Sequence, residues 1–211
     1  MTKKASMQFF YSEPQHEFEK IIGGFFCIKA VGTIETGDDA IFAKFLDQHR
    51  PPAHMVVYID SNGGDLEAGI GIGRLIRSYG LWTDIGKYLL DFDASAEFFQ
   101  PRQRMPGNCM SAATMIYIGG RLRYFGQDSK FGVHRFSFKN PAPEHLGQSQ
   151  VLSAQLATYV IEMGISPEFL ELSSATDAQE INLIDESRLK EYGVVTGGET
   201  NVEWSVQARG K

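Results

Sequence analysis

Cysteine is scarce in this sequence, long apolar runs are missing, and positive charge is not in excess. The 211 residues hold two cysteines, Cys27 and Cys109. Two thiols so placed give neither a disulfide framework nor a metal-ligand spacing, and predict a chain from a reducing compartment with no metal. No apolar stretch approaches the roughly 18 residues that a spanning helix needs, and the mean hydropathy is −0.20. Twenty Lys and Arg stand against 26 Asp and Glu, a formal charge of −6. That balance argues against non-specific binding to nucleic acid or to an anionic membrane. Met7 to Tyr11 is too short for the apolar region of a secretion signal, and Glu13-Pro14 follows at once. The expectation is a soluble, cytoplasmic protein.

Core material, by contrast, is ample. The chain is 43% hydrophobic and 12% aromatic, which excludes wholesale disorder. Residues 1–20 are polar and without period, and read as an N-terminal arm. Residues 21–200 read as a single domain and 201–211 as a tail. Phe25 to Val31 is rich in strand formers and ends at Gly32. Gly37-Asp38-Asp39 opens a helix with two acids at the positive end of its dipole, and Pro51-Pro52 stops it. Met55 to Ile59 predicts a strand buried on both faces. A helix follows from Leu66 to Tyr79. Gly69, Gly71 and Gly73 lie inside it at a cost in helix stability, so this surface is expected to meet another backbone closely.

Further along, Leu81 to Ile85 reads as a strand and 87–106 as an irregular insertion. Ser111 to Ile118 reads as a buried helix, Arg121 to Phe125 and Phe131 to Phe136 as strands, and Gln148 to Met163 as the longest helix. Ser166-Pro167-Glu168 starts another helix with an N-cap and a first-turn proline. A strand at Ile181 to Ile184 and a helix at Glu186 to Tyr192 complete the series. Strands alternating with helices predict a single-domain α/β fold with parallel strands.

Three segments carry candidate chemistry. In Asp60-Ser61-Asn62-Gly63-Gly64, two glycines between a strand and a helix leave amide N–H groups unobstructed, as an oxyanion hole or phosphate cradle requires. The same residues also suit a plain tight turn. No dinucleotide fingerprint and no phosphate-binding loop appears, so no cofactor is expected. In Gly107-Asn108-Cys109-Met110-Ser111-Ala112-Ala113, a serine stands at a helix mouth among small residues, with the Ala112 amide turned toward the same space. An N-cap role serves that serine equally well, and Cys109 is the rival nucleophile. In Val133-His134-Arg135, a histidine returns 23 residues after Ser111, one helix and one hairpin later.

In this order the segments resemble the proteolytic subunit of the Clp protease and the wider Clp/crotonase fold. That family has a strand leading to Asn-Ser-Pro-Gly-Gly, then Gly-x-x-x-Ser, then Ile-His, then Glu-Tyr-Gly-Leu-Val. Here the counterparts are Asp60 to Gly64, Gly107 four before Ser111, Val133-His134, and Glu191-Tyr192-Gly193-Val194-Val195. The likeness covers about residues 25–196. It implies repeated β-β-α spiral units and a serine peptidase acting on peptides or unfolded proteins. Ser111 would be the nucleophile, His134 the general base, and the amides of Gly64 and Ala112 the oxyanion donors. It also implies a homo-oligomer, served by a separate ATPase because this chain carries no ATP-binding signature.

The sequence departs from the pattern in ways that bear on activity. The family's aspartate falls on Ile181, which cannot orient an imidazole, leaving Asn182, Glu180 and Asp177 nearby. Asn182 is the expected third member, although strand alternation puts 180 and 182 on the face opposite 181. Asn62 replaces a proline, and 87–106 has no counterpart of that length. The alternatives are a catalytically weak or inactive paralogue acting as an assembly subunit, acyl-CoA chemistry on the crotonase fold, and a serine–lysine pair using Lys87 or Lys130.

Overall fold

The computed structural model describes residues 6–12, 26–86, 105–137 and 145–197. In chain order the strands are β1 (Gln8–Ser12), β2 (Cys27–Val31), β3 (Val56–Asp60), β4 (Trp82–Ile85), β5 (Asn108–Met110), β6 (Arg123–Tyr124), β7 (Lys130–Val133) and β8 (Asn182–Leu183). The helices are α1 (Asp38–His49), α2 (Leu66–Ser78), α3 (Ala113–Ile118), α4 (His145–Glu162), α5 (Glu168–Ala175) and α6 (Glu186–Glu191). Among the described residues this is a mixed α/β structure with two mixed sheets.

The larger sheet runs β1-β2-β3-β4-β6. β1 is antiparallel to β2, and every later pair is parallel. Parallel neighbours need a crossover, and α1, α2 and α3 supply it between successive strands. The smaller sheet runs β5-β7-β8, with β5 parallel to β7 and β8 antiparallel to it. Ser61, just past β3, bridges to Cys109 in β5 and so joins the two sheets.

The core lies between the larger sheet and its helices. Ile28 and Ala30 of β2, Val57 and Ile59 of β3, Phe42 and Leu46 of α1, and Ile72 and Ile76 of α2 are all fully buried. Each such large aliphatic or aromatic side chain contributes about 1.5–3 kcal/mol relative to exposure. Of the α2 glycines, Gly69 and Gly73 meet another backbone, whereas Gly71 meets the Asp39 side chain of α1. A Cβ on Gly69 would stand 2.8 Å from the Ala112 carbonyl oxygen, and one on Gly73 would overlap the Tyr159 hydroxyl and crowd the Met115 carbonyl. Helix α2 thus lies directly on the backbone of α3.

Helix α3 is buried at all six positions, and two arginines hold its C-terminal end. Arg77 donates to the carbonyls of Ile118, Gly119, Gly120 and Met163. Arg123 donates to those of Ile118, Gly120, Gly193 and Val194. Positive charge belongs at the negative end of a helix, and the guanidinium fork satisfies several terminal carbonyls at once. The arrangement is costly for the cation: burial first, and then the Arg77 charge, lower the Arg123 guanidinium to about 10.

Several expectations need correction. Gln8–Ser12 is a strand, because its pairing with β2 outweighs a composition without clear period. β3 is fully buried on one face only: Val57 and Ile59 are inside, whereas Val56 and Tyr58 are half-buried. β5 occupies a segment with no strand signature of its own, drawn into pairing by Ser61 and β7. β7 ends at Val133, so His134 follows the strand instead of lying within it. Residues 87–104 of the expected insertion, and the expected C-terminal tail, lie outside the described residues.

Candidate functional site

Ser111 occupies the turn between β5 and α3, in a left-handed backbone conformation with φ 54°. A residue with a Cβ pays about 1–3 kcal/mol for such a conformation, and it persists only where the surroundings fix it. They do so here. The Ser111 N–H donates to the Gly132 carbonyl at 2.9 Å. Its own carbonyl accepts from the Thr114 N–H at 3.0 Å and the Thr114 hydroxyl at 2.6 Å. Backbone groups are thereby consumed, while the Ser111 hydroxyl makes no hydrogen bond among the described residues.

The glycine pair is seated against this turn. The Ser61 N–H donates to the Asn108 carbonyl at 2.7 Å, and the Met110 N–H returns a bond to Ser61 at 3.0 Å. The Ser61 hydroxyl then accepts the Gly63 N–H at 3.1 Å. Gly63 and Gly64 have φ +95° and +147°, a region that side chains rarely enter. A Cβ on Gly63 would stand 2.8 Å from the Met110 carbonyl oxygen and 3.1 Å from the Ala112 nitrogen; one on Gly64 would overlap the Ile34 carbonyl. Ile34 clamps the turn from the other side, donating to Gly63 at 3.0 Å and accepting from Asp65 at 2.9 Å. Asp65 caps α2 by accepting the Ala68 N–H at 2.9 Å. After this accounting, the N–H groups of Gly64 and Ala112 have no acceptor among the described residues. Both residues line the same cavity.

His134 lines that cavity too. Its Nδ1 lies 2.8 Å from the carbonyl oxygen of Arg135. A carbonyl can only accept, so a hydrogen bond here is donated by Nδ1–H, which in an uncharged ring leaves Nε2 as the acceptor. The cavity measures about 1370 Å³, and Gly63, Gly64, Ser111, Ala112 and His134 are among the residues that line it. Met115, Leu152, Leu156 and Phe169 give it an apolar side.

The structure therefore brings four of the five expected site residues to one space. No hydrogen bond joins Ser111 to His134 among the described residues. Asn182, the fifth, pairs with Val133 in the β7-β8 ladder and makes no bond to the imidazole. Sequence reasoning missed the Arg135 carbonyl that takes its place, since every residue carries such an oxygen and nothing marks one out. Asp177 instead pairs with the Arg135 guanidinium. The Cys109 thiol is wholly buried, and burial pushes its pKa well up, which keeps it protonated and inert. Lys130 is exposed and outside the cavity lining, and Lys87 lies outside the described residues.

Among the described residues no cluster of His, Cys, Asp and Glu is arranged to hold a metal ion, and no helix is long and apolar enough to cross a membrane. Compared with protein-family models and with curated proteins, the chain matches none.

Proposed function

We propose that this chain is a serine-type, peptidase-like hydrolase of the Clp type, with Ser111 as nucleophile and His134 as general base. The observation that carries the proposal is the shared cavity, lined by a serine on a strained turn, by two residues whose amide N–H groups have no acceptor among the described residues, and by an imidazole whose Nδ1 meets a carbonyl. In the reaction, the Ser111 hydroxyl gives its proton to Nε2 as its oxygen attacks a peptide carbonyl. The Gly64 and Ala112 N–H groups hold the resulting oxyanion, and the imidazolium then protonates the leaving amine. Water, activated by the same ring, releases the acyl group from Ser111. The reaction requires Ser111 and His134 to come into hydrogen-bonding contact, which catalytic pairs commonly complete only with substrate bound. Losing one oxyanion donor typically costs about 3 kcal/mol of transition-state stabilisation.

The repeated β-β-α spiral of the Clp/crotonase fold belongs to the same proposal. It is supported by three helix-linked parallel steps in the larger sheet and by the bridge through which Ser61 passes into the smaller one. A homo-oligomer and a separate ATPase that delivers unfolded chains follow from the sequence resemblance.

A second reading is a catalytically weak or inactive assembly subunit. Two observations favour it: the serine and histidine are not hydrogen-bonded, and a neutral carbonyl stands where a carboxylate would stabilise an imidazolium more strongly. Incubation with a library of unstructured peptides separates the two. Mass spectrometry should find cleaved products with the native chain and none with Ser111→Ala. Equal product patterns from both would refute the hydrolase reading, and intact peptides with both would favour the assembly subunit.

A further inference from the structure

Behind His134 lies a short run of contacts that the proposed chemistry does not itself use. The Arg135 carbonyl that accepts the Nδ1–H hydrogen bond is held at two points. Its own residue's N–H donates to the Thr176 carbonyl at 3.1 Å, and its guanidinium pairs with the Asp177 carboxylate. Both anchors are themselves tied down. The Thr176 hydroxyl donates to the Leu172 carbonyl of α5 at 3.0 Å, and the other Asp177 oxygen accepts the Gln179 N–H at 3.0 Å. The segment after β7 is thus docked on the end of α5 through Arg135, and among the described residues no acidic side chain bonds the imidazole directly.

We propose that Asp177 is a positioning residue: by gripping the Arg135 side chain it keeps the Arg135 carbonyl on His134 Nδ1, and so selects the ring tautomer whose Nε2 accepts a proton. A tautomer is set by the bond its other nitrogen makes. A carboxylate would impose that bond strongly, whereas a backbone carbonyl imposes it only while the backbone stays put. Releasing Arg135 removes its side-chain hold on the segment while the Thr176 contact stays, and the imidazole then samples both tautomers. The ring with Nε2 protonated cannot take a proton from Ser111. The catalytic consequence rests on the hydrolase reading; the tautomer control does not.

Asp177→Asn is the discriminating variant, because its amide oxygen still accepts from Gln179 while its charge toward Arg135 is gone. Nitrogen-15 spectra of the full chain, with His134 assigned by comparison with His134→Ala, report the protonated ring nitrogen directly. The native chain and Asp177→Glu should show the Nδ1-protonated form, and Asp177→Asn a mixture of the two forms. A native ring protonated at Nε2, or an Asp177→Asn spectrum identical to the native one, overturns the proposal. Phosphonate labelling of Ser111 should slow by up to about fivefold in Asp177→Asn, the ratio that an exposed ion pair of roughly 1 kcal/mol supports, and recover in Asp177→Glu. A native chain that never labels counts against the hydrolase reading alone, since the His134 spectrum still decides this inference.

Discussion

Gly63 rests against Ser111 so closely that a Cβ placed on the glycine would stand 2.7 Å from the Ser111 Cβ. The turn before α2 and the turn before α3 are therefore one packed unit, although 48 residues of chain separate them.

Gly63→Ala tests that unit. The substitution adds a clash with Ser111 to an unfavourable φ of +95°. Unfolding in urea should show a loss of about 1–3 kcal/mol, and Ser111 should react more slowly with phosphonates as its turn is displaced. Unchanged stability and reactivity would mean that the two turns are not mechanically joined.

Arg123→Met addresses the far end of α3. It leaves the carbonyls of Gly193 and Val194 without their guanidinium donor in a buried site. The expected loss is about 3 kcal/mol or more. Calorimetry should then show a midpoint roughly 6–12 °C lower, at about 2–4 °C per kcal/mol for a chain of this size. Arg123→Lys should recover little, because an ammonium cannot span the same carbonyls.

Two carboxylates should give opposite pH slopes. The Arg188 N–H holds Asp185 below its ordinary pKa as the N-cap of α6. Its contribution is present above the unfolded value of 3.8 and is lost as pH falls through the lower folded value. Burial raises Asp38 despite a bond from the Glu35 N–H. That group favours the fold at low pH, and its share is lost as pH rises through the raised folded value. Relative to the native chain, Asp38→Asn should gain stability as pH rises above 3.8, while Asp185→Asn should flatten the acid limb below 3.8. Denaturant titrations on both sides of that value check both signs.

Cys109 should resist maleimide in the folded chain and react once urea unfolds it, because its thiol is buried and held protonated. Cys109→Ala should leave the phosphonate reactivity of Ser111 within about twofold of the native value, as a loss of one buried sulfur need not move the turn. Rapid native alkylation would revive the thiol as a nucleophile.

Much of the architecture was legible from periodicity and punctuation. Gly37-Asp38-Asp39 and Pro51-Pro52 bracket α1, and the costly glycines of α2 announced a close backbone neighbour that proved to be α3. Elements stabilised mainly by long-range pairing were not legible. Gln8–Ser12 carries the strand formers Phe9, Phe10 and Tyr11, but the run is short, lies among polar residues and is fixed as a strand by β2 beside it, and Asn108–Met110 is extended because Ser61 and β7 flank it. The site divides along the same line. Side chains with distinctive chemistry, Ser111 and His134, stood out together with the glycine pair. The partner of His134 Nδ1 is a main-chain oxygen, whereas Asn182, paired with Val133 across the β7-β8 ladder, makes no bond to the ring.

The central claim meets its most direct test in the rate and site of fluorophosphonate attachment to the intact chain, mapped by mass spectrometry. One adduct is expected, on the Ser111 oxygen, formed at least about 10²-fold more slowly in His134→Ala. An adduct at another residue, or equal rates with and without the imidazole, would contradict it.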